Sequence, residues 1–115
     1  TASTEQSVEL AQHAERIGCD LVSAISPYYH RHDEHAVVAF FGALTKAVDL
    51  PVYVYNNPKA SGVTITPSFL RHLADVGVKG IKDSGFSFIE LTHYICAMCT
   101  EKQLCIVRIG FPVSE

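Results

Sequence analysis

The sequence predicts an α/β fold in which parallel strands alternate with amphipathic helices. Four apolar segments rich in β-branched residues recur at intervals of roughly 25 to 30 residues, and helical patterns lie between them. Capping residues stand at the expected helix ends. The resulting order, αβαβαβαβ, predicts a parallel sheet with right-handed crossovers.

The predicted strands are apolar runs that are each followed by loop residues. They comprise residues 19–26, 51–55, 78–82 and 104–110. Such nearly continuous apolar strands are typical of a sheet that helices cover on at least one face. We therefore expect the strands to be the centre of the fold.

The helices are predicted from apolar stripes at three- and four-residue spacing and from the residues that bound them. Serine, threonine and aspartate fit N-terminal caps, and glycines fit C-terminal ends. The stripes are Val37, Phe40, Phe41, Leu44, Ala47 and Val48, and Leu91, Tyr94, Ile95 and Met98; the caps are Ser3, Asp33, Thr66 before Pro67, and Ser87; the closing glycines are Gly18 and Gly77.

Composition excludes several classes of function. The 115 residues are 48% hydrophobic and carry nine Lys plus Arg against twelve Asp plus Glu, so binding to nucleic acid has little electrostatic drive. No apolar run reaches the roughly 20 residues of a membrane-spanning helix, and the first residues do not resemble a signal peptide. We expect a cytoplasmic protein with no membrane partner, whose four cysteines are reduced thiols.

Polar residues cluster where the first three predicted strands end. Because the carboxyl ends of parallel strands meet at one edge of a sheet, ligands of α/β proteins bind there. Lys82 stands at such an end, directly after Gly80 and Ile81, where an ammonium group is costly unless it has a function. The strand-end residues are Tyr28, Tyr29, Tyr55, Asn56, Lys82, Asp83 and Ser84.

Lys82 and Tyr55 form a candidate pair of nucleophile and proton carrier. Partly apolar surroundings favour a neutral amine, which can attack a carbonyl and form a Schiff base. Tyr55 ends the neighbouring strand at a similar height, so its phenol is placed to transfer protons. Lys59, in the loop after Tyr55, is a distant second candidate because solvent keeps its amine protonated.

Three segments resemble one family of enzymes. SPYYHRHDE (26–34), YVYNNPKASGV (53–63) and VKGIKDSG (78–85), in this order, are similar to the dihydrodipicolinate synthase and N-acetylneuraminate lyase family of pyruvate-dependent class I aldolases. The pattern Tyr-Asn-x-Pro-x-x-x-Gly, followed about 27 residues later by Gly-Ile-Lys, is specific in combination, although each motif alone would be weak.

The resemblance implies a TIM barrel, of which this chain supplies about half. A complete (β/α)8 barrel takes about 250 residues, so residues 1–115 are expected to be a partial barrel domain with strands four to seven by family order. The family's Gly-Ser/Thr-Thr-Gly-Glu segment is missing, which predicts a fragment of a longer enzyme. Half a barrel leaves apolar surface uncovered, so we expect a homo-oligomer.

The resemblance also assigns site residues. Lys82 is implied to be the Schiff-base lysine, Tyr55 the phenol that relays protons, and Tyr29 the tyrosine that reaches a neighbouring subunit's site. Substrate contacts are expected from Ser84, Gly110 and Asn56. The implied substrates are a 2-oxo acid such as pyruvate and an aldehyde, and the reaction needs neither a cofactor nor a metal ion.

One residue departs from the pattern of the synthase branch of the family. The synthase branch carries an arginine five residues after the catalytic tyrosine, where it holds a carboxylate of the second substrate, and here that position is Ala60. A lyase similar to sialic acid lyase or to a 2-oxo acid sugar aldolase is therefore favoured over dihydrodipicolinate synthesis, whereas the KDSG segment after the third strand is commoner in synthase-like or uncharacterised members. The alternative is a half-barrel that associates but catalyses nothing.

Two other motifs have simpler explanations than the metal sites they resemble. The HRHDEH segment offers His30, His32 and His35, but the spacing matches no common zinc pattern, and Asp33 is better explained as a helix cap. Cys96 and Cys99 lie in a predicted helix without a second cysteine pair, so we expect buried thiols.

Overall fold

Four parallel strands form one sheet, which confirms the predicted α/β class. The computed structural model describes residues 3–27, 33–57, 61–84 and 92–93 and the backbone of 105–108. The strands lie in the order β1-β2-β3-β4. The elements are α1 (Thr4–Arg16), β1 (Val22–Ile25), α2 (Glu34–Ala47), β2 (Val52–Asn56), α3 (Pro67–Asp75), β3 (Gly80–Asp83) and β4 (Cys105–Arg108).

The three described helices begin at side-chain caps that the sequence predicts. The Ser3 hydroxyl accepts a hydrogen bond from the Gln6 amide at 3.4 Å. Asp33 Oδ1 accepts one from the Ala36 amide at 2.8 Å. Thr66, before Pro67, accepts one from the Phe69 amide at 3.1 Å. Each cap satisfies an amide that has no partner inside its helix. The predicted cap Ser87 and the stripe from Leu91 to Met98 lie outside the described residues, apart from 92–93.

Two strands begin later than predicted because the helix before each of them ends in a hydrogen-bonded turn. Gly18 has φ 88° and Gly77 φ 106°. The Cys19 amide then donates to Ala14 O at 3.0 Å, and the Val78 amide to Leu73 O at 3.1 Å. These are Schellman-type bonds, so the apolar residues after the glycines complete the helix ends. The predicted strands 19–26 and 78–82 are therefore corrected to 22–25 and 80–83.

The other two strands are close to their predicted bounds. The second strand, predicted as 51–55, begins and ends one residue later, at Val52 and Asn56, and it stays paired with β3 through Asp83. The fourth is described as 105–108, and residues 104, 109 and 110 of the prediction lie outside the described part of the chain.

The helices cover one face of the sheet. In β2, Val52 and Val54 are buried, whereas the alternate residues Tyr53 and Tyr55 are half-buried. Since successive side chains of a strand point to opposite faces, the first pair lies beneath the helices and the second on the other face. The core contains Val37, Phe40, Phe41, Leu44, Val52, Val54, Leu70, Leu73 and Ile81.

The outer edge of β1 carries an apolar groove. It has a volume of about 380 Å³ and is lined by residues of α1, β1 and α2. Leu10 and Leu21 beside it are 58% and 45% exposed. Among the described residues, β1 pairs with no strand on this side. No helix in the described part of the chain is long and apolar enough to span a membrane.

Two glycines lie where α2 packs against the end of α3, and alanine at each should change the stability of the fold in opposite directions. At Gly77, φ is 106° and an added Cβ would lie 3.2 Å from Thr45 Cβ, so Gly77→Ala should lower the free energy of unfolding by about 1 to 3 kcal/mol. Gly42 lies inside α2, and its added Cβ would meet Val76 at an ordinary 3.7 Å. Gly42→Ala should therefore raise stability by about 0.5 to 1 kcal/mol. Urea unfolding of both variants measures this, and equal effects would contradict it.

Candidate active site

Lys82 and Tyr55 lie side by side at the carboxyl ends of β3 and β2. They are register partners in the parallel pair. Paired residues of neighbouring parallel strands share a face, so both side chains lie on the face that the helices leave uncovered. Lys82 Nζ lies 4.4 Å from the centroid of the Tyr55 ring. The structure thus brings the predicted nucleophile and the predicted proton carrier into contact.

The Tyr55 ring restricts the position of the Lys82 amine. An ammonium group over an aromatic face is attracted by the ring quadrupole, which restricts where Nζ can lie. Both side chains are half-buried, so one side of each remains accessible. A lysine that is fixed yet reachable is what attack on a carbonyl requires.

The Tyr55 hydroxyl is fixed by two polar side chains. Ser84 Oγ donates a hydrogen bond to it at 3.3 Å. Asn57 Nδ2 donates a second at 3.4 Å. Ser84 is itself held because its amide donates to Asn56 O at 3.0 Å, which extends the β2–β3 ladder beyond the strand. With both donors in place, the phenol oxygen accepts two bonds and its own proton is free to be donated elsewhere.

Ser84 was predicted as a site residue, and Asn57 was not. The signal for Asn57 was present in the doubled asparagine of YNNP. A residue that follows a strand-end tyrosine by two positions projects toward the same side, so its amide can reach the phenol.

Asn56 occupies a different place from the predicted one. It is 1% exposed and lies on the helix-covered face with Val52 and Val54. Its Nδ2 donates to Asp83 Oδ1 at 2.9 Å, and Asp83 is equally buried. The alternation of side chains along β2 explains this placement, because adjacent residues of a strand cannot face the same side. The structure therefore does not bring Asn56 to the Lys82 side of the sheet.

Two further predicted site residues, Tyr29 and Gly110, lie outside the described residues. The loop after β1 is described only up to Pro27, which is buried together with Ser26. The described part of the site therefore consists of the ends of β2 and β3 and the first residues after them.

Only the last three residues of the HRHDEH segment, 33–35 at the start of α2, lie in the described part of the chain. Asp33 caps α2, and Glu34 lies 3.8 Å from His72 Nδ1 with both side chains more than half exposed. Within the described ranges, no three histidine, cysteine or acidic side chains are grouped as a metal site would require. His30, His32, Cys96 and Cys99 lie outside those ranges.

Comparison with known proteins identifies the family. Residues 1–106 match the sequence model of the dihydrodipicolinate synthetase family. The chain belongs to this family. A 4-hydroxy-tetrahydrodipicolinate synthase from Clostridium perfringens is 39% identical over 85 residues, which is 73% of this chain and 29% of that protein.

Solved structures of the family share the fold. YagE, a prophage protein of the dihydrodipicolinic acid synthase family from E. coli K12 in complex with pyruvate, has a TM-score of 0.87 and 30% identity over 93% of this chain and 37% of its own. A catalytic lysine mutant of the Ruminococcus gnavus sialic acid aldolase has a TM-score of 0.83 and 26% identity over 92% of this chain and 35% of its own. The chain thus spans about a third of the length of the relatives that it matches.

The members of this family are aldolase-type lyases. The four parallel strands and their helices match a portion of its TIM-barrel members. The agreement covers the fold, and the relatives include both a synthase and an aldolase.

Proposed function

We propose that the protein containing this chain is a class I aldolase that forms a Schiff base between Lys82 and pyruvate or another 2-oxo acid. The observation that carries the proposal is the contact of Lys82 Nζ with the Tyr55 ring, 4.4 Å from its centroid, at a carboxyl edge of a parallel sheet. This edge is where barrel enzymes hold their reacting groups. Pyruvate is supported by its presence in the complex of the related YagE.

In the proposed reaction, the neutral Lys82 amine attacks the keto carbon of the 2-oxo acid. The carbinolamine loses water as the Tyr55 phenol gives a proton to the departing hydroxyl, and an imine forms. The Tyr55 phenolate takes a proton from the adjacent carbon, which gives an enamine. The enamine carbon bonds to an aldehyde carbonyl as the phenol returns that proton to the aldehyde oxygen. Hydrolysis then releases the product and restores the amine, and the reverse sequence cleaves a 2-oxo acid.

Ser84 and Asn57 serve the phenol in this scheme. Their donated hydrogen bonds stabilise the phenolate oxygen after its proton has passed to the departing hydroxyl. Tyr29 and Gly110 remain proposed contributors on sequence grounds, as a relay tyrosine and a substrate contact.

The second substrate is proposed to be an aldehyde without a carboxylate, such as a sugar aldehyde. Ala60 stands where the synthase branch has an arginine, and a methyl group cannot hold a carboxylate. The names of curated relatives such as the Clostridium perfringens protein favour synthase activity instead. Substrate selectivity therefore decides between the two branches.

Ala60→Arg should increase the use of a carboxylated aldehyde relative to a neutral sugar aldehyde. A new charge-assisted contact is worth about 1.5 to 3 kcal/mol, so kcat/KM for the carboxylated aldehyde should rise by about 10- to 150-fold. Steady-state kinetics with both aldehydes and pyruvate measures the ratio, and Ala60→Gln, which has a long side chain without charge, is the control. A protein that already prefers the carboxylated aldehyde with Ala60 in place would contradict the assignment.

The chain is proposed to be a partial barrel, with its four strands as strands four to seven. Among the described residues, no strand pairs with the outer edge of β1, and Leu10 and Leu21 beside it are exposed. Both observations support a partial barrel, because a closed barrel would place another strand and helix there. Association with further copies stays a prediction from the sequence. An inactive half-barrel is the alternative function, and it predicts that no imine forms.

Borohydride reduction in the presence of pyruvate tests the proposed function. The reagent reduces an imine to a stable amine, so an aldolase gains about 72 Da, the mass of pyruvic acid less one water plus two hydrogens. An unchanged mass would favour the inactive half-barrel. Omitting pyruvate from the mixture is the control for direct modification by the reagent.

A further inference from the structure

Asn56 and Asp83 form a buried contact directly behind the Lys82–Tyr55 pair. They are register partners, one position after Tyr55 and Lys82 in their strands. Asn56 Nδ2 donates to Asp83 Oδ1 at 2.9 Å, and each residue is 1% exposed. The two cross-strand pairs therefore lie on opposite faces of the sheet at the same two strand ends.

This contact restrains the strand ends where they would otherwise separate. The last ladder bond, from the Ser84 amide to Asn56 O at 3.0 Å, lies next to it. A charge-assisted hydrogen bond in a buried site is short and directional, so it fixes the spacing of β2 and β3 at this position. A shift of β3 relative to β2 would move Lys82 Nζ away from the Tyr55 ring.

We propose that Asn56 and Asp83 are positioning residues for imine formation, a role that rests on the proposed function. Their side chains lie on the face of the sheet opposite the amine and the phenol, and they act by holding the register in which Tyr55 and Lys82 meet. A buried polar pair at the carboxyl end of two strands is more costly to bury than two apolar residues. Val54 and Ile81, one pair earlier on the same face, show that apolar residues are accommodated there.

The test compares rates of imine formation at saturating pyruvate, measured by rapid mixing with borohydride. Asn56→Asp places two carboxylates against each other and should slow imine formation by about 10-fold or more, because displacement on the order of 1 Å costs up to about 10²-fold. Asp83→Asn preserves volume but removes the charge, and it should slow the reaction by a smaller factor. The exchange Asn56→Asp with Asp83→Asn restores an amide opposite a carboxylate and should return the rate to within about threefold of the original.

Val52→Ala is the control for a purely structural role. Val52 lies on the same face of β2, is 1% exposed and is four residues from Asn56, so its truncation destabilises the fold away from the strand ends. All rates are taken well below the melting temperature of each variant. Val52→Ala should leave the rate within about twofold of the original.

The outcomes separate this inference from the proposed function. Unchanged imine formation in Asp83→Asn and in folded Asn56→Asp would overturn the positioning role and leave the aldolase assignment intact. A failure of the exchange variant to recover the rate would also overturn it. If Asn56→Asp does not fold, Asp83→Asn and the exchange variant provide the comparison. Absence of trapping in the unaltered protein would instead remove the proposed function, and the positioning role with it.

Discussion

Lys82→Ala should abolish imine formation and lower turnover by about 10⁴-fold or more. The amine is the only group in the proposed scheme that bonds to the substrate, and the loss of a covalent nucleophile leaves only binding and electrostatic contributions. The fold should survive, because Lys82 is half-buried and its contact with the Tyr55 ring is worth about 0.5 to 2 kcal/mol. Intact-mass measurement after borohydride treatment with pyruvate and steady-state assays measure the two effects.

Lys79→Ala is the matched control for this variant. Lys79 is exposed and lies just before β3, at the amino end of the same strand. The Lys79→Ala variant should be trapped by borohydride and pyruvate as efficiently as the unaltered protein. Trapping of the Lys82→Ala variant would contradict the assignment and direct attention to Lys59, which the sequence places in the loop after Tyr55.

Tyr55→Phe should lower turnover by about 10² to 10⁴-fold while pyruvate binding is largely retained. Phenylalanine keeps the ring beneath Lys82 Nζ, so the amine should stay in place. It removes the hydroxyl and with it the hydrogen bonds from Ser84 and Asn57. The kinetic signature is therefore a fall in kcat with little change in the pyruvate concentration needed for half-saturation.

Tyr53→Phe supplies the comparison for Tyr55→Phe. Tyr53 lies two residues earlier in β2, on the same face and also half-buried, and its register partner is Gly80. The substitution Tyr53→Phe should change turnover by less than about threefold, because Tyr53 pairs with Gly80 and not with Lys82. Equal losses in the two variants, or an unchanged kcat in Tyr55→Phe, would remove Tyr55 from the mechanism.

The sequence predicted the order and kind of the described elements well because hydrophobic periodicity and caps are local signals. Asp33 and Thr66 cap the helices as expected, and Phe41 and Leu44 lie in the core. Strand starts were harder to predict. Cys19 is an apolar residue that follows a helix-closing glycine. Its apolar side chain fits the end of a helix as well as the start of a strand.

The candidate site was predictable in part. Lys82 and Tyr55 share a face because their strands are parallel neighbours in register, which follows from the order of the strands. Placement of Asn56 depends on where β2 ends. Because the strand includes Asn56, its side chain lies on the face of the sheet opposite that of Tyr55.

Mapping the borohydride-reduced adduct to one residue tests the central claim most directly. The protein is reduced in the presence of pyruvate and digested, and the peptide carrying the increase of about 72 Da is sequenced by mass spectrometry. We expect the modification on Lys82 alone. Modification of a different lysine, or a protein that remains unmodified while it is folded, would contradict the central claim.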